Sequence, residues 1–390
     1  MKPFPMTIAM RAAVPAFRAR RVFLACSIAM SIAWACAAGV PAAFATGLLE
    51  QVERLESPLP AGGRLLIDES SSTLDVTLSD DGLVRVIAHK YAEGGSQEDR
   101  QKALSEISVR FENEPGGALR VRTEIPESAR QRFIGVSLFP MRWSLGLGAK
   151  GWVDFEVQLP RGAVLDASIT SGQVHIAGTA SPLNVRTTSG DIEVERAAGD
   201  LTLSATSGLA IVRDLTGSVR IEVTSGDVSC DGVTGFADLN FASSNVTMNR
   251  IGGALSVSGT SGDVSIGDSE GPVKVEIASG NVIVDGGERG LEVGSSSGSV
   301  VAKVARAGGS GIKIETASGD VELSVEEASA SNVELATASG VIHIKGPIVI
   351  DTASRSHFRG TLGEGGEHLI AVETRSGDIT VVAAVPPSND

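Results

Sequence analysis

The chain has 390 residues, and its 47 acidic and 33 basic side chains give a formal net charge of -14. This length is enough to bury a sizeable core in one large or two medium domains. A strongly acidic surface repels phosphate backbones, so the composition excludes nucleic acid as a partner. The chain is rich in glycine and poor in aromatic residues, a balance typical of short strands and tight turns.

The N-terminal 45 residues have the pattern of an export signal. A basic stretch ends at Arg20–Arg21, an Ala-rich apolar run covers 22–40, and Ala43–Ala45 supplies a small-x-small cleavage site. We therefore predict a signal peptide over 1–45, cut after Ala45 and exported by the Sec or the twin-arginine route. The mature chain is expected in the periplasm or on the cell surface. An uncleaved anchor is the alternative, because the apolar run could almost span a bilayer.

A β-rich region with one short helix is predicted over 46–160. Three alternating strands with Ser and Asp-Gly turns cover 64–90, a helix with acidic residues in its first turn covers 96–107, and strands return over 108–125. We interpret 46–160 as an N-terminal cap and the first coils of the repeats that follow. Such a cap is needed because an open sheet edge invites further strand pairing.

A long apolar insert at 132–152 interrupts this region and contains Phe133, Trp143 and Trp152 between basic residues. We interpret it as a hairpin that packs over the end of the repeats. Contact with a membrane interface is the alternative reading, since aromatic and basic residues are often combined there. Any membrane contact of this chain is expected through the leader or this insert only.

A strict 18-residue repeat occupies 161–303. Its marker is the serine of a Ser-Gly corner, with Ser244 replacing the glycine once: Ser171, Ser189, Ser207, Ser225, Ser243, Ser261, Ser279 and Ser297. Within each repeat, two pairs of apolar residues are each separated by one variable residue, which is strand alternation with both apolar side chains on one face. Irregular coils follow over 304–385, and a short tail covers 386–390.

These features predict an all-β protein, a parallel β-solenoid (β-helix) whose 18-residue coils each contain two short strands. Stacking the coils in register pairs each strand in parallel with its counterpart about 4.8 Å away and turns the apolar columns into buried ladders. Glycine suits the corners because it adopts positive φ at no steric cost. Cys230, the only cysteine after the leader, lies in an apolar column and is predicted to be buried rather than a redox thiol.

The sequence resembles the bacterial family known as putative adhesins, a β-strand-repeat domain of unknown function. The resemblance rests on "VDFEVQLPRGAVLDASITSGQVHI" (153–176), the Ser-Gly-Asp coils and "GTLGEGGEHLIAVETRSGDITV" (360–381), and it covers about residues 60–383. It implies a solenoid and an adhesive role, and it supplies no catalytic residues. The insert at 132–152 departs from the family pattern, which has a short link there.

The corner residues also allow a calcium β-roll. Each coil supplies one Asp or Asn at most, as at Asp191, Asp227, Asn245, Asp263 and Asn281, which is too few oxygens for a calcium site. We interpret these residues as acceptors within their own turns. The histidines are scattered without metal-ligand spacing, and no Gly-x-Ser-x-Gly motif is followed by a suitably placed acid and histidine. We therefore expect no enzyme activity, no cofactor and no catalytic or metal-binding residues.

The function favoured by the sequence is a non-enzymatic, exported cell-envelope protein, an adhesin or scaffold that binds through a flat wall of the solenoid. The proposed wall is nearly uncharged: Ile211, Ser229, Thr247, Ser265, Ile283 and Val301. Its partner is an envelope component or a second copy of the chain. A carbohydrate-binding or polysaccharide-degrading β-helix protein is the alternative. Sugar binding favours rows of exposed Trp or Tyr, but Trp is absent after Trp152 and Tyr91 precedes the repeats.

Overall fold

The computed structural model describes residues 47–384, apart from 130–131, 139–140, 148, 328–329, 363–365 and 367. The predicted signal peptide and the tail at 386–390 lie outside the described residues. Strands account for most of the described chain, which also contains one α-helix and one short 3-10 helix. The predicted all-β class is confirmed.

The N-terminal region contains the predicted strands, the predicted helix and one further strand, β1, that the sequence does not signal. The strands are β1 (Leu48–Pro58), β2 (Arg64–Ser71), β3 (Leu74–Ser79), β4 (Leu83–Glu93), β5 (Ser108–Glu114), β6 (Ala118–Glu124), β7 (Arg132–Leu138), β8 (Met141–Leu147) and β9 (Lys150–Pro160). Helix α1 (Gln97–Glu106) lies between β4 and β5, and a 3-10 turn covers Glu127–Ala129. Ser96 begins α1 with a capping box, because its hydroxyl accepts from the Asp99 N–H and its N–H donates to the Asp99 carboxylate.

The regular repeats form two strands per coil, as predicted. The strands are β10 (Val164–Ser171), β11 (Val174–Ala177), β12 (Leu183–Ser189), β13 (Ile192–Glu195), β14 (Leu201–Ser207), β15 (Ala210–Leu215), β16 (Val219–Ser225), β17 (Val228–Val233), β18 (Ala237–Ser243), β19 (Val246–Ile251), β20 (Leu255–Ser261), β21 (Val264–Ser269), β22 (Val273–Ser279), β23 (Val282–Gly286), β24 (Leu291–Ser297) and β25 (Val300–Arg306). Each Ser-Gly corner joins an even-numbered strand to the odd-numbered strand after it.

The C-terminal region continues the solenoid with less regular spacing. Its strands are β26 (Ile312–Ser318), β27 (Val321–Glu327), β28 (Ser331–Ser339), β29 (Ile342–Lys345), β30 (Ile348–Ala353), β31 (His357–Leu362), β32 (His368–Ser376) and β33 (Ile379–Ala383). The extra residues of the first irregular coil lie in the loop between β25 and β26.

The strands form two long sheets that we call sheet 1 and sheet 2. Sheet 1 has the order β1-β4-β9-β3-β11-β13-β15-β17-β19-β21-β23-β25-β27-β33-β29, and sheet 2 has the order β30-β31-β28-β32-β26-β24-β22-β20-β18-β16-β14-β12-β10-β2-β6-β5. Pairing between successive repeats is parallel and in register, so that Leu201 lies opposite both Leu183 and Val219. The predicted parallel solenoid is confirmed.

Both ends of the solenoid are interleaved. The coil β2/β3 stacks beneath β10/β11, and its sheet 1 strand, β3, also pairs with β9, which directly precedes β10 in the chain. At the other end, the last coil in sequence, β32/β33, is inserted between β26/β27 and β28/β29. The spatially terminal coil is therefore β28/β29, and chain order and stacking order differ at both ends.

The core is a set of ladders between the two sheets. The inward residues of sheet 1, such as Val194, Val212 and Met248, are fully buried, as are their counterparts in sheet 2, such as Leu203, Ile221 and Leu239. Burying such aliphatic side chains contributes roughly 1.5–3 kcal/mol each. Cys230 belongs to the sheet 1 ladder and is buried as predicted.

The corners require glycine because successive coils approach closely. Gly190 has φ of 156°, and a Cβ at this position would collide with the carbonyl oxygen of Gly172 in the neighbouring coil.

The prediction that corner Asp and Asn residues accept hydrogen bonds within their own turns is wrong. Oδ1 of Asp263 accepts instead from the backbone N–H of Asn281, at 2.8 Å and one coil away.

The apolar insert contains an antiparallel hairpin, β7 and β8, that forms a small sheet of its own. The hairpin is thus confirmed, and its packing over the solenoid stays a prediction. The insert ends earlier than the sequence indicates, because Trp152 belongs to β9, where it lies opposite Tyr91. In the described part of the chain, no helix has the length and hydropathy needed to cross a membrane.

Candidate functional site

The residues of the predicted wall form one straight row across sheet 1. Each lies directly opposite the next on neighbouring strands: Ile211, Ser229, Thr247, Ser265, Ile283 and Val301. The structure therefore brings all six together on the outer face, as strand alternation requires.

The apolar residues of this wall are unequally exposed. Ile283 and Val301 are neighbours and expose 51% and 39% of their surface. Ile211, by contrast, is only partly accessible. Arg213, two residues further along the same strand, forms an ion pair with Glu193, which lies directly opposite Ile211. This diagonal ion pair lies beside the isoleucine and explains its partial burial.

Ion pairs follow the wall on the adjacent outward column. Arg213 also reaches Glu195 at 2.8 Å, and Nε of Arg250 reaches Asp231 at 2.6 Å. Exposed ion pairs of this kind contribute little to the stability of the fold, because solvent screens them. The wall is therefore a narrow uncharged strip beside a charged one rather than a broad apolar surface.

A long groove lies on the outside of sheet 2. It runs from Ser168 to Arg375 across ten successive rungs, is open to solvent and has a volume of about 1360 Å³. At about 4.8 Å per rung, ten rungs span about 43 Å. The groove follows the ends of the sheet 2 strands, just before the Ser-Gly corners.

The two rims of the groove carry small hydroxyls on one side and larger polar groups on the other. The corner-side rim contains Thr188, Thr206, Thr224 and Thr260 in successive or nearly successive coils. The opposite rim contains Arg186, Glu222, Asn240, Glu276, Glu315 and Glu373. Lys274 and Lys313 approach Glu276 and Glu315 to 2.9 Å, whereas no described residue forms a salt bridge with Glu222.

Three hydroxyl side chains lie beneath the floor of the groove, on the inner face of sheet 2. Thr187, Ser295 and Thr316 are each more than 90% buried, and their hydroxyl oxygens have no hydrogen-bond partner among the described residues. Buried polar groups are normally paired with protein or water. These three side chains alternate with the outward rim residues and point into the solenoid, so a ligand in the groove would not reach their hydroxyls.

The groove is not predicted from the sequence, because strand alternation places the rim residues on the outer face without indicating a concavity. The signal that could reveal it is the repeated threonine one residue before the Ser-Gly corner, at Thr188, Thr206, Thr224 and Thr260. A column of identical small polar residues outside the core is not required by strand alternation.

A second group, scattered in the sequence, is a row of histidines and carboxylates at the N-terminal end of sheet 1. His89 contacts Glu50 at 2.8 Å and Glu156 at 3.4 Å, and His175 contacts Asp75 at 3.3 Å. These residues lie on five adjacent strands because β1, β4 and β9 extend the sheet beyond the first coil. Among the described residues, no three His, Cys, Asp or Glu side chains are arranged to hold a metal ion.

Two aromatic residues that precede the repeats also come together. The Tyr91 and Trp152 rings stack with centroids 5.3 Å apart, and Nζ of Lys150 lies 5.7 Å from the Trp152 ring. Burial and the nearby carboxylates of Glu50 and Asp154 raise the pKa of Tyr91 to about 12. This stacked pair stabilises the junction of β4 and β9.

Comparison with known proteins shows that the solenoid matches the model of a known protein family. The family model Toastrack DUF4097 matches residues 157–236 and 213–382. No curated protein matches the chain.

Solved structures similar to the chain include three of low sequence identity. A putative cell adhesion protein from Clostridium sporogenes ATCC 15579 is 9% identical, with 86% of this chain and 99% of that chain covered and a TM-score of 0.18. A putative lipid binding protein from Parabacteroides distasonis ATCC 8503 is 11% identical, with 70% and 96% covered and a TM-score of 0.31. A putative adhesin from Bacteroides fragilis NCTC 9343 is 10% identical, with 85% and 97% covered and a TM-score of 0.22. At these scores, the similarity carries no argument about function.

Proposed function

The chain belongs to the Toastrack DUF4097 family, and we propose that it is a non-enzymatic, exported envelope protein, an adhesin or scaffold that binds a linear polymer along its groove. The observation that carries this proposal is the continuity of the groove across ten rungs. A small molecule would contact two or three rungs, whereas an extended chain can contact them all.

Because the same polar groups recur on successive rungs, many weak contacts can together hold a polymer in the groove. Each rung offers one or two polar groups, such as the hydroxyl of Thr206 and the carboxylate of Glu222, and a hydrogen bond contributes only about 0.5–1.5 kcal/mol. A polymer held at one rung meets the next at high effective concentration, so affinity grows with the number of rungs occupied. This is the binding mode that suits an adhesive protein.

The chemistry of the groove favours a hydroxyl-rich polymer, such as an envelope glycan. Hydroxyl, amide and carboxylate groups can donate to or accept from sugar hydroxyls. The rim carboxylates Glu222, Glu276, Glu315 and Glu373 would repel a polyphosphate or another acidic polymer. Arg186 and Arg375 provide the basic groups, and they lie near opposite ends of the groove.

The wall on sheet 1 is the second candidate surface. Its support is the adjacent pair Ile283 and Val301, both exposed. The pair covers two rungs only, and a single apolar pair offers much less contact than the groove. We therefore place the main binding surface on sheet 2.

Export is part of the proposal and rests on the sequence pattern over 1–45. Determining the N-terminal residue of protein recovered from the cell envelope tests it, and Thr46 is the expected first residue. A product that retains residues 22–40 would indicate an anchored protein instead.

The binding surface can be tested with three double variants at exposed positions. Thr206→Arg with Thr224→Arg places bulk in the groove, and Ile283→Lys with Val301→Lys alters the wall. Arg64→Glu with Arg220→Glu alters charge elsewhere on sheet 2, at residues that neither line the groove nor pair with its rim. Binding is measured by co-sedimentation with insoluble envelope polysaccharide, and polyphosphate serves as the acidic control polymer. Thermal unfolding verifies that each variant is folded.

We expect the groove variant to bind envelope polysaccharide at least about tenfold more weakly and the other two to bind like the wild type. Loss in the wall variant alone would move adhesion to sheet 1. Equal binding by all three would reject both surfaces. Release of soluble sugar fragments during incubation, abolished by Glu222→Gln, would support the polysaccharide-degrading alternative.

A further inference from the structure

The spatial end of the solenoid after β28/β29 exposes the edges of both sheets. Because β32/β33 fills the rung below, β29 is the last strand of sheet 1 and β30 is the last strand of sheet 2. No described strand pairs with the outer edge of either one. Unpaired strand edges are templates for pairing with another chain.

Residues 341–350, which include β29 and the start of β30, are also unusually apolar for an exposed surface. Val341, Val349 and Ile350 expose 52%, 60% and 61% of their surface. Ile342 and Ile344 continue the inward ladder of sheet 1 but are only partly buried, whereas their neighbours on the next rung, Ile379 and Val381, are fully buried. We call residues 341–350 the open end.

The opposite end of the molecule is protected. Its edge strands β1 and β5 are rich in charged residues, and Arg110 on β5 pairs with Glu124 at 2.8 Å. Charges on an edge strand discourage pairing with another chain. The two ends are therefore unlike, and the open end is not complementary to the protected one in a head-to-tail stack.

Electrostatics also favours contact at the open end. The whole chain has a net charge of -14, so two copies repel over most of their surfaces. Residues 341–359 depart from this balance: Lys345, Arg355 and Arg359 stand against Asp351, and Arg359 is paired with Glu334 at 2.6 Å, so the segment is close to neutral. Two copies can approach here with the least repulsion between acidic surfaces.

We propose that the open end is a self-association surface that binds the open end of a second copy. The edge strands of the two copies pair in antiparallel fashion across a two-fold axis, and Val341, Val349 and Ile350 of each copy are covered. A two-fold arrangement uses the same patch on both partners and closes after two copies. This inference does not depend on the groove or its ligand.

Sedimentation equilibrium of the full chain tests the proposal over a range of concentrations. The test variant is Val349→Lys with Ile350→Lys, whose residues are exposed, so its unfolding temperature should match that of the wild type. The matched control is Leu48→Lys with Val52→Lys, which places the same charges on an exposed apolar pair of β1 at the protected end. Hydrogen exchange of the amides at 342–345 and 348–353 gives a second readout.

We expect a monomer–dimer equilibrium for the wild type and the control, and dimerisation weakened about tenfold or more in the test variant. Exchange at 342–345 and 348–353 should slow with rising concentration in the wild type and the control but not in the test variant. A wild type that stays monomeric, a test variant that dimerises normally, or growth into open polymers would overturn the proposal.

Discussion

Oδ1 of Asp191 accepts a hydrogen bond of 3.0 Å from the backbone N–H of Leu209, one coil further along the solenoid. Equivalent bonds run from Asp263 to Asn245, from Asn281 to Asp263 and from Ser299 to Asn281. The corner side chains therefore tie successive coils together. The chain of bonds is interrupted after Leu209, because leucine cannot accept for the next coil.

Leu209→Asn is expected to repair this interruption. The amide oxygen introduced by the substitution would accept from the N–H of Asp227 and stabilise the fold by about 0.5–1.5 kcal/mol. The measurement is the free energy of unfolding in urea. An unchanged or lower value would contradict the interpretation that these residues act between coils.

Asp263→Ala provides the opposite change. It removes the acceptor for two donors of Asn281, its backbone N–H and its side-chain amide, and should destabilise the fold by about 1–2 kcal/mol.

Since these carboxylates act as hydrogen-bond acceptors, chelator and millimolar calcium should leave the unfolding temperature unchanged. A rise of many degrees with calcium would favour a β-roll.

Comparing two glycines tests whether the corners need glycine because successive coils approach closely there. Gly280 has φ of 136°, and a Cβ there would collide with the Gly262 carbonyl oxygen. Around Gly294, the nearest heavy atoms to such a Cβ are 4.0 Å away. We expect Gly280→Ala to lower the free energy of unfolding by about 3 kcal/mol or more and Gly294→Ala to have little effect. Similar values for both in urea unfolding would contradict the corner assignment.

Much of the regular solenoid could be predicted because its signals are local and repeated. An 18-residue period with alternating apolar residues fixes which side chains are inward, as at Cys230, and which residues lie opposite one another, as at Ile283 and Val301. Burial confirms this register along the whole repeat.

The ends and the groove could not be predicted from the same signals. Periodicity does not say that β32/β33 returns to a rung between β26/β27 and β28/β29, because either stacking order gives the same alternation. The groove lies where the sheet 2 strands end, and only the threonine column before the corners marks it in the sequence. Partial burial of Ile211 depends on the Arg213–Glu193 ion pair, which spans two coils.

The thiol of Cys230 tests the inward register directly. The side chain is fully buried, and burial raises the pKa of the thiol to about 12. A maleimide should therefore modify Cys230 only when the protein is unfolded, as mass analysis of the peptide containing Cys230 would show. Rapid modification of the folded protein would mean that the strand is shifted by one residue, which turns each side chain to the other face.

Glu69 introduces a buried carboxyl group into the first coil. It lies on β2 opposite Ile169, is more than 90% buried, and its Oε1 has no hydrogen-bond partner among the described residues. Burial raises the pKa of Glu69 from 4.5 to about 7, with Thr123 opposing the rise and Asp68 adding to it. The folded protein thus holds a proton at pH values where the unfolded chain has released it.

This difference makes stability fall as pH rises from about 4.5 to about 7. Above that range the penalty is constant, and between pH 5 and pH 8 Glu69 should destabilise the fold by about 2–3 kcal/mol. Glu69→Gln removes the ionisable group, so the variant should exceed the wild type in unfolding free energy at pH 8 by more than it does at pH 5. Asp68→Asn, at the exposed neighbouring position, is the matched control and should show a much smaller pH-dependent difference. If Glu69→Gln and the wild type show parallel pH profiles in urea unfolding, the pKa of Glu69 is not raised in the folded protein.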